Sequence, residues 1–188
     1  MKKTIRILAL IFALATVFSL CSCATSSPES LAKAYVKATM NLDFKKADSY
    51  HLVTIKDYIN YYAERDGLTL EEALEERFDV SSLDEYFEEL KYECMDEIED
   101  EYGKFKFEIR KIDVDEYSPK KLKSLKEDEF LEDDLDDYGF DIEKISAAAE
   151  VEVKVRLIGE EKSETRKDTL TVVKYNNQWK VLDRSVLY

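Results

Sequence analysis

Residues 172–181 have the sequence VVKYNNQWKV, and this stretch decides the fold class. Asn176 and Asn177 both tolerate a positive φ, so they predict a tight turn between two antiparallel strands. Upstream, residues 151–157 alternate apolar and charged side chains, which is typical of a half-buried strand. We therefore predict that the chain ends in a three-stranded antiparallel meander whose last strand carries Trp179.

A further strand is predicted before the meander, over residues that follow Gly103. Apolar and charged side chains alternate over residues 105–109, and Ile112 and Val114 continue the alternation with its phase inverted. One extra residue at position 110 or 111 explains the inversion, because successive strand residues point to opposite faces. We therefore predict a β-bulge at this point, where the strand should bend.

Helical spacing dominates the residues before these strands. A first helix is predicted from Pro28 to about Asn41, and Asp43 and Thr54 are expected to begin two more, the second of which ends near Gly67. Two capping boxes, each a hydroxyl residue with a carboxylate three positions on, predict two further helices; they pair Thr69 with Glu72 and Ser82 with Glu85.

One more helix is predicted between the first strand and the meander. It begins at Ser118 and Pro119 and runs toward Gly139, and its apolar stripe falters at residues 128 and 129, where a break is expected. Helices followed by strand, helix and meander are the element order of an α+β protein.

The first 23 residues predict where the protein is located. Lys2, Lys3 and Arg6 precede an apolar run over residues 7–20, which is too short for a standard membrane-spanning helix. The sequence that follows, Leu20-Cys21-Ser22-Cys23, resembles a bacterial lipobox. This resemblance implies a lipoprotein signal peptide over residues 1–22 and a diacylglyceryl group on Cys23. An ordinary secretory signal and an uncleaved anchor are the alternatives.

The remaining chain is expected to be a short lipidated tether over residues 23–27 and a single α+β domain over residues 28–188. The formal net charge is −14 for the whole chain and −17 without the three basic residues of the predicted signal. Such a surface repels phosphate groups, so a nucleic acid partner is not expected. The expected location is the extracytoplasmic face of the cell membrane, held by the lipid anchor.

No pattern in the sequence predicts a catalytic site, a metal site or a cofactor. His51 is the only histidine, and we interpret it as a packing or surface residue at a helix end. The acidic run over residues 133–139 does not have the ligand spacing of an EF-hand and is interpreted as a solvated helix face. Cys94 lies on an apolar helical stripe and is expected to be a buried, unreactive thiol.

Segments at both ends of the domain resemble the nuclear transport factor 2-like superfamily, whose cone-shaped fold is also described as SnoaL-like or cystatin-like. The resemblance lies in residues 27–35 (SPESLAKAY), residues 43–47 (DFKKA) and residues 172–181. It implies N-terminal helices packed on the concave face of a curved antiparallel sheet. Relative to that pattern, the helices between Thr54 and Glu101 are an insertion.

Four aromatic residues are candidates for a small-molecule pocket in such a cone: Tyr35, Tyr58, Tyr62 and Trp179. A tyrosine offers a hydroxyl group beside an apolar ring, which suits a binding pocket. The alternative is that these rings only fill the hydrophobic core.

Three functions follow from these observations. The first is a non-enzymatic domain that binds a small molecule or an envelope protein. The second is an isomerase or hydrolase, because some members of the superfamily use a carboxylate base and a tyrosine acid. The third is a structural or assembly role in the cell envelope, in which the acidic helices are the working surface.

Overall fold

The structure is a computed structural model that describes residues 26–160 and 162–182. The predicted signal peptide and Cys23 lie outside the described residues. The helices are α1 (Pro28–Met40), α2 (Phe44–Asp48), α3 (Ile55–Asp66), α4 (Leu70–Phe78), α5 (Leu83–Tyr102), α6 (Pro119–Lys126) and α7 (Glu129–Asp137). The strands are β1 (Lys106–Glu116), β2 (Ile145–Ile158), β3 (Ser163–Tyr175) and β4 (Gln178–Val181), and a 3-10 turn over Ile142–Lys144 precedes β2.

The helices begin at the predicted capping residues. The Thr69 hydroxyl accepts a hydrogen bond from the Glu72 N–H, and the Glu72 carboxylate accepts one from the Thr69 N–H, which completes a capping box. The second predicted box is only half formed. The Glu85 carboxylate accepts hydrogen bonds from the N–H and hydroxyl of Ser81 and not from the N–H of Ser82, so that half of the prediction is wrong.

The four strands form one antiparallel sheet in the order β1-β2-β3-β4. Asn176 and Asn177 have φ values of 47° and 65°, as the predicted turn between β3 and β4 requires. The predicted bulge in β1 is also confirmed, because Ile109 and Lys111 pair with the consecutive residues Val155 and Lys154 of β2. The α+β prediction is therefore confirmed for the described residues.

Helices cover both faces of this sheet. On one face, α1 packs against β1, β2 and β4 in a buried cluster, called cluster one here, that includes Leu31, Val36, Val153, Val172 and Trp179. On the other face, α6 and α7 pack over the start of β2 and the end of β3 in cluster two, which includes Leu131, Leu135, Ile145, Ala148 and Val173. The predicted break between α6 and α7 is confirmed, with Asp128 as the N-cap of α7.

The helices between Thr54 and Glu101 form a hydrophobic cluster of their own, called cluster three here. Its buried residues are Ile55, Ile59, Ala63, Ala73, Leu74 and Val80. α5 is the longest helix among the described residues, yet Tyr102 at its last position is its only fully buried residue. No helix within the described residues combines the length and the apolar character needed to cross a membrane.

The connection between α2 and α3 is attached to the edge of the sheet. The Val181 N–H donates to the carbonyl of Tyr50 over 2.9 Å, and the Leu52 N–H donates to the carbonyl of Val181 over 2.8 Å. His51 therefore forms a parallel bridge with Val181. These bonds fix the end of α2 and the start of α3 relative to β4, and they position the site described next.

Candidate functional site: an aromatic cavity between helices

A cavity of about 230 Å³ lies between α1, α2, the start of α3 and α5. We call it the helical cavity. It combines apolar and aromatic walls with polar side chains, which is the usual composition of a small-molecule site. Its lining residues are Tyr35, Thr39, Phe44, Ala47, Asp48, His51, Ile55, Tyr86, Phe87 and Leu90.

Asp48 holds its carboxylate at the wall of this cavity because the chain turns from α2 into α3 there. One carboxylate oxygen accepts a hydrogen bond from the Ile55 N–H over 2.9 Å. Asp48 thus satisfies a backbone donor at the start of α3, where the first N–H groups of a helix have no partner within it. The side chain is half-buried and is fixed in place by this bond.

Burial is the main influence on the ionisation of Asp48, and it raises the pKa of the carboxyl group above its usual range. The hydrogen bond from Ile55 opposes this shift, the charge of Asp57 adds to it, and the charge of Lys180 opposes it. Lys180 is itself half-buried, and burial lowers the pKa of its amine, which donates to the carbonyl of Ser49 over 2.9 Å. Asp48 is therefore a poorly hydrated carboxylate that takes up a proton more readily than a surface aspartate.

His51 lies on the same wall and is 6 % exposed. Its ring meets the ring of Tyr35 edge to face, with centroids 5.2 Å apart and an interplanar angle of 75°. The burial of His51 agrees with its interpretation from the sequence as a packing residue at a helix end. The structure also places His51 in the lining of the helical cavity.

Tyr86 and Phe87 form the opposite wall on α5, with ring centroids 5.3 Å apart and an interplanar angle of 70°. Burial raises the pKa of Tyr86, and the charges of Asp48 and Glu93 raise it further. The hydroxyl group therefore stays protonated at neutral pH and retains its hydrogen-bond donor.

A second cavity, of about 300 Å³, lies between α1 and the sheet, and we call it the sheet cavity. Its floor is apolar and its rim carries charged residues of β3; its lining includes Val36, Met40, Val155, Leu157, Arg166 and Lys167. The two cationic rim residues are already engaged, because Arg166 contacts Glu164 and Lys167 contacts Glu152.

Tyr35 is the one predicted pocket residue that lines these cavities, and it lines both. Tyr58 and Tyr62 pack against each other with ring centroids 4.7 Å apart, and the Arg77 guanidinium lies 3.8 Å from the ring centre of Tyr62. Trp179 is buried in cluster one. Tyr35 also packs against cluster one, so the structure places the four predicted residues in two groups, Tyr35 with Trp179 and Tyr58 with Tyr62, and not around one pocket.

The sequence did not predict that three residues of the helical cavity lie together: Asp48, His51 and Tyr86. Asp48 precedes the only histidine by three positions, but no pattern links either residue to Tyr86 on a helix more than thirty residues later. The exposed side chains of Lys45 and Asp84 form a salt bridge between α2 and α5. No pattern in the sequence predicts this salt bridge, because its two residues lie far apart in the chain.

Cys94 is half-buried on α5, so the expectation of full burial is wrong. Burial raises the pKa of its thiol, and the neighbouring charges of Glu97 and Glu93 act in the same direction. The thiol form therefore predominates at neutral pH, which disfavours nucleophilic reactivity.

Comparison of this chain with family profiles, with curated proteins and with solved structures found no match. Within the described residues, no group of three or more His, Cys, Asp or Glu side chains is arranged to hold a metal ion.

Proposed function

We propose that this protein is a bacterial lipoprotein, anchored through Cys23 to the extracytoplasmic face of the cell membrane, that binds a small molecule in the helical cavity without transforming it. The observation that carries the proposal is the cavity itself, in which Asp48, His51 and Tyr86 converge among apolar walls. A concave, largely apolar site with a few polar groups is the default form of a ligand site.

The sequence around Cys23 supports the anchor. Two acyl chains hold a protein stably at a bilayer, whereas one chain gives only marginal binding. Residues 24–27 span at most about 14 Å between Cys23 and α1, so the start of the domain would lie close to the membrane. A ligand at or near the membrane surface is favoured by this short tether.

The proposed architecture is the nuclear transport factor 2-like cone. Two features support it: α1 packs on the sheet in cluster one, and the bulge in β1 is of the kind that bends a strand. The cluster formed by α3, α4 and α5 would be the insertion, and the helical cavity would lie between this insertion and the cone.

Metabolic labelling tests the anchor. The full chain is expressed in a bacterium supplied with labelled palmitate, beside the variants Cys23→Ala and Cys94→Ala. Lipidation at Cys23 predicts labelled, membrane-bound protein for the wild type and for Cys94→Ala, and unlabelled protein for Cys23→Ala. Label retained by Cys23→Ala contradicts the proposed site.

A thermal-shift screen of the full chain in non-ionic detergent tests ligand binding. A ligand present at a hundred times its Kd stabilises the native state by about 2.7 kcal/mol. The variant Leu90→Trp is expected to fill the helical cavity and abolish the shift. Tyr92→Trp is the matched control, because Tyr92 lies on the same helix and is 61 % exposed. Equal shifts in both variants would place the ligand elsewhere.

An enzyme that uses a carboxylate and a tyrosine is the second candidate function. The observation that favours it is the raised pKa of Asp48 beside the Tyr86 hydroxyl, since a general base works best with a pKa near the operating pH. Ligands found in the thermal-shift screen should be incubated with the protein and analysed by mass spectrometry. Product formation that is lost in Asp48→Asn would favour this candidate over simple binding.

A further inference from the structure

We propose that the helical cavity selects a small organic ammonium cation, such as a quaternary ammonium headgroup. This inference rests on the proposed binding function and names the chemical class of its ligand. Three properties of the cavity lead to it: the number of aromatic rings in its walls, the sign of its charge and its size.

Aromatic rings make up half of the lining. Tyr35 comes from α1, Phe44 from α2, His51 from the connection after α2, and Tyr86 and Phe87 from α5, so the rings approach from several directions. The faces of phenyl and phenol rings attract cations, and binding sites for quaternary ammonium groups are typically built as such aromatic cages. Leu90 and Ile55 add apolar surface that suits N-methyl groups.

The charge of the cavity is negative. Asp48 is the only acidic side chain in the lining, and neither lysine nor arginine contributes to it. Outside the lining, Asp57 and Lys180 both act on Asp48, and their opposite charges offset each other. A bound cation would therefore meet one uncompensated carboxylate, whereas an anion would be repelled by it.

The size of the cavity limits its ligand to a small molecule, and its donor set disfavours calcium. Its volume of about 230 Å³ is below the range of ~300–1,000 Å³ found for drug-sized ligands, so the ligand is small. Calcium takes six to eight oxygen ligands, and one carboxylate with two tyrosine hydroxyls and one threonine does not supply them. The sheet cavity differs, since Arg166 and Lys167 stand at its rim.

Choline chloride is the probe for this inference. Its uncharged isostere is 3,3-dimethylbutan-1-ol, called dimethylbutanol here, which has a carbon atom in place of the ammonium nitrogen. Both are titrated calorimetrically into the full chain in non-ionic detergent. We expect choline to bind saturably and the isostere to bind at least about tenfold more weakly, because the ring faces and Asp48 favour only the charged compound.

Matched variants locate the effect. Asp48→Asn is expected to weaken choline binding about tenfold or more, because it removes the only carboxylate in the lining. Glu88→Gln removes a carboxylate from an exposed position on α5 outside the lining and is expected to leave the Kd of choline unchanged. Tyr86→Leu should weaken binding and Tyr92→Leu should not, which keeps the test valid if Asp48→Asn folds poorly.

The pH dependence gives an independent readout, since choline itself does not titrate. Protonation of Asp48, whose pKa is raised by burial, removes the attraction, so binding should weaken as the pH falls. A Kd of choline that does not change with pH would contradict the role of Asp48.

The outcomes separate this inference from the function on which it rests. If dimethylbutanol binds as tightly as choline, the cavity takes ligands but has no preference for cations, and only the inference fails. The same holds if choline does not bind while another compound from the thermal-shift screen does. If no compound binds to the cavity in either experiment, the proposed function fails as well.

Discussion

At the scale of single residues, Asp48 has two roles that make opposite demands. Its carboxylate caps the start of α3, and the same group is half-buried at the wall of the helical cavity, where ionisation is disfavoured. The folded protein holds the proton of Asp48 up to a higher pH than the unfolded chain does. The protonated Asp48 side chain therefore makes its whole contribution to the free energy of unfolding at acidic pH. This contribution is lost as the pH rises through the raised pKa of the folded state.

Asp48→Asn is accordingly expected to increase the free energy of unfolding at neutral pH. Asparagine keeps an oxygen that accepts from the Ile55 N–H, and it removes the cost of burying a charge. Urea denaturation at neutral and at acidic pH measures the effect, which should disappear in acid, where Asp48 is protonated in both states. A variant less stable than wild type at both pH values would mean that the carboxylate is needed for structure alone.

The backbone of Tyr102 lies so close to Gly159 that there is no room for a side chain at this position. A methyl group at this position would lie 2.4 Å from the carbonyl oxygen of Tyr102, which accepts a hydrogen bond from the Glu160 N–H over 2.9 Å. We expect Gly159→Ala to cost about 1–3 kcal/mol of stability, because the end of α5 must move away from the hairpin.

Equilibrium denaturation in urea measures this cost. Gly67→Asn is the control: Gly67 has open space around it, and asparagine tolerates its φ of 70° better than other residues do. Equal losses at the two glycines would indicate a general effect of replacing glycine and not the contact with Tyr102.

At the scale of secondary-structure elements, α5 and β3 are joined by a network of charged groups around the Tyr102 hydroxyl. The hydroxyl donates to the Glu164 carboxylate over 2.5 Å and accepts from the Arg166 guanidinium over 2.9 Å. The hydrogen bonds from Tyr102, Arg166 and Lys162 lower the pKa of Glu164 from 4.5 to about 2. The ionised network therefore stabilises the fold above the usual titration range of glutamate, and this stability is lost as the pH falls from 4.5 toward about 2.

Tyr102→Phe should decrease this acid sensitivity. Without the hydroxyl, the pKa of Glu164 moves back toward its ordinary value, so less stability remains to be lost in acid. The free energy of unfolding should also fall at neutral pH, because Glu164 and Arg166 lose a partner. Denaturation curves over a series of acidic pH values measure both effects, with the exposed Tyr92→Phe as control. An unchanged pH profile in Tyr102→Phe would contradict the role of the hydroxyl.

Elements with local signals were predictable from the sequence. The turn at Asn176 and Asn177, the bulge beside Ile109 and the break before Glu129 each depend on a few adjacent residues, and all three are confirmed. Helical spacing also predicted the helix between Thr54 and Gly67. It could not show that α4 packs on this helix, because spacing identifies a helix and not the element that covers it.

The helical cavity could not be predicted for the same reason. Tyr35 was a candidate because it lies on the apolar stripe of α1, but its partners Asp48 and Tyr86 are brought to it by tertiary contacts. The backbone bonds of Tyr50 and Leu52 to Val181 are among these contacts. Backbone groups make such bonds whatever their side chains are, so the residue pattern does not reveal them.

At the scale of the whole molecule, the described residues contain three hydrophobic clusters, and a single domain over residues 28–188 remains a prediction. A single cooperative transition is expected if the clusters depend on one another. Leu31 in cluster one and Leu74 in cluster three are 0 % and 2 % exposed, so replacing either with alanine should cost about 2–5 kcal/mol.

Two probes test this cooperativity. Circular dichroism follows all the helices, and the fluorescence of Trp179, the only tryptophan, follows cluster one. Leu31→Ala and Leu74→Ala should each shift both signals to the same lower denaturant midpoint. If Leu74→Ala lowers only part of the dichroism transition and leaves the Trp179 midpoint unchanged, cluster three unfolds separately and the single-domain prediction is wrong.

The attachment of residues 50–52 to Val181 also covers part of the outer edge of β4. An open edge strand offers unpaired backbone groups to any neighbouring chain, and β4 would be such an edge without this cover. The opposite edge, β1, carries the bulge and the charges of Lys106, Arg110 and Lys111, which disfavour pairing with another chain. Under the proposed lipid anchor, copies of this protein would meet often because they would diffuse in two dimensions, and the partly covered and charged sheet edges would disfavour their joining into fibrils.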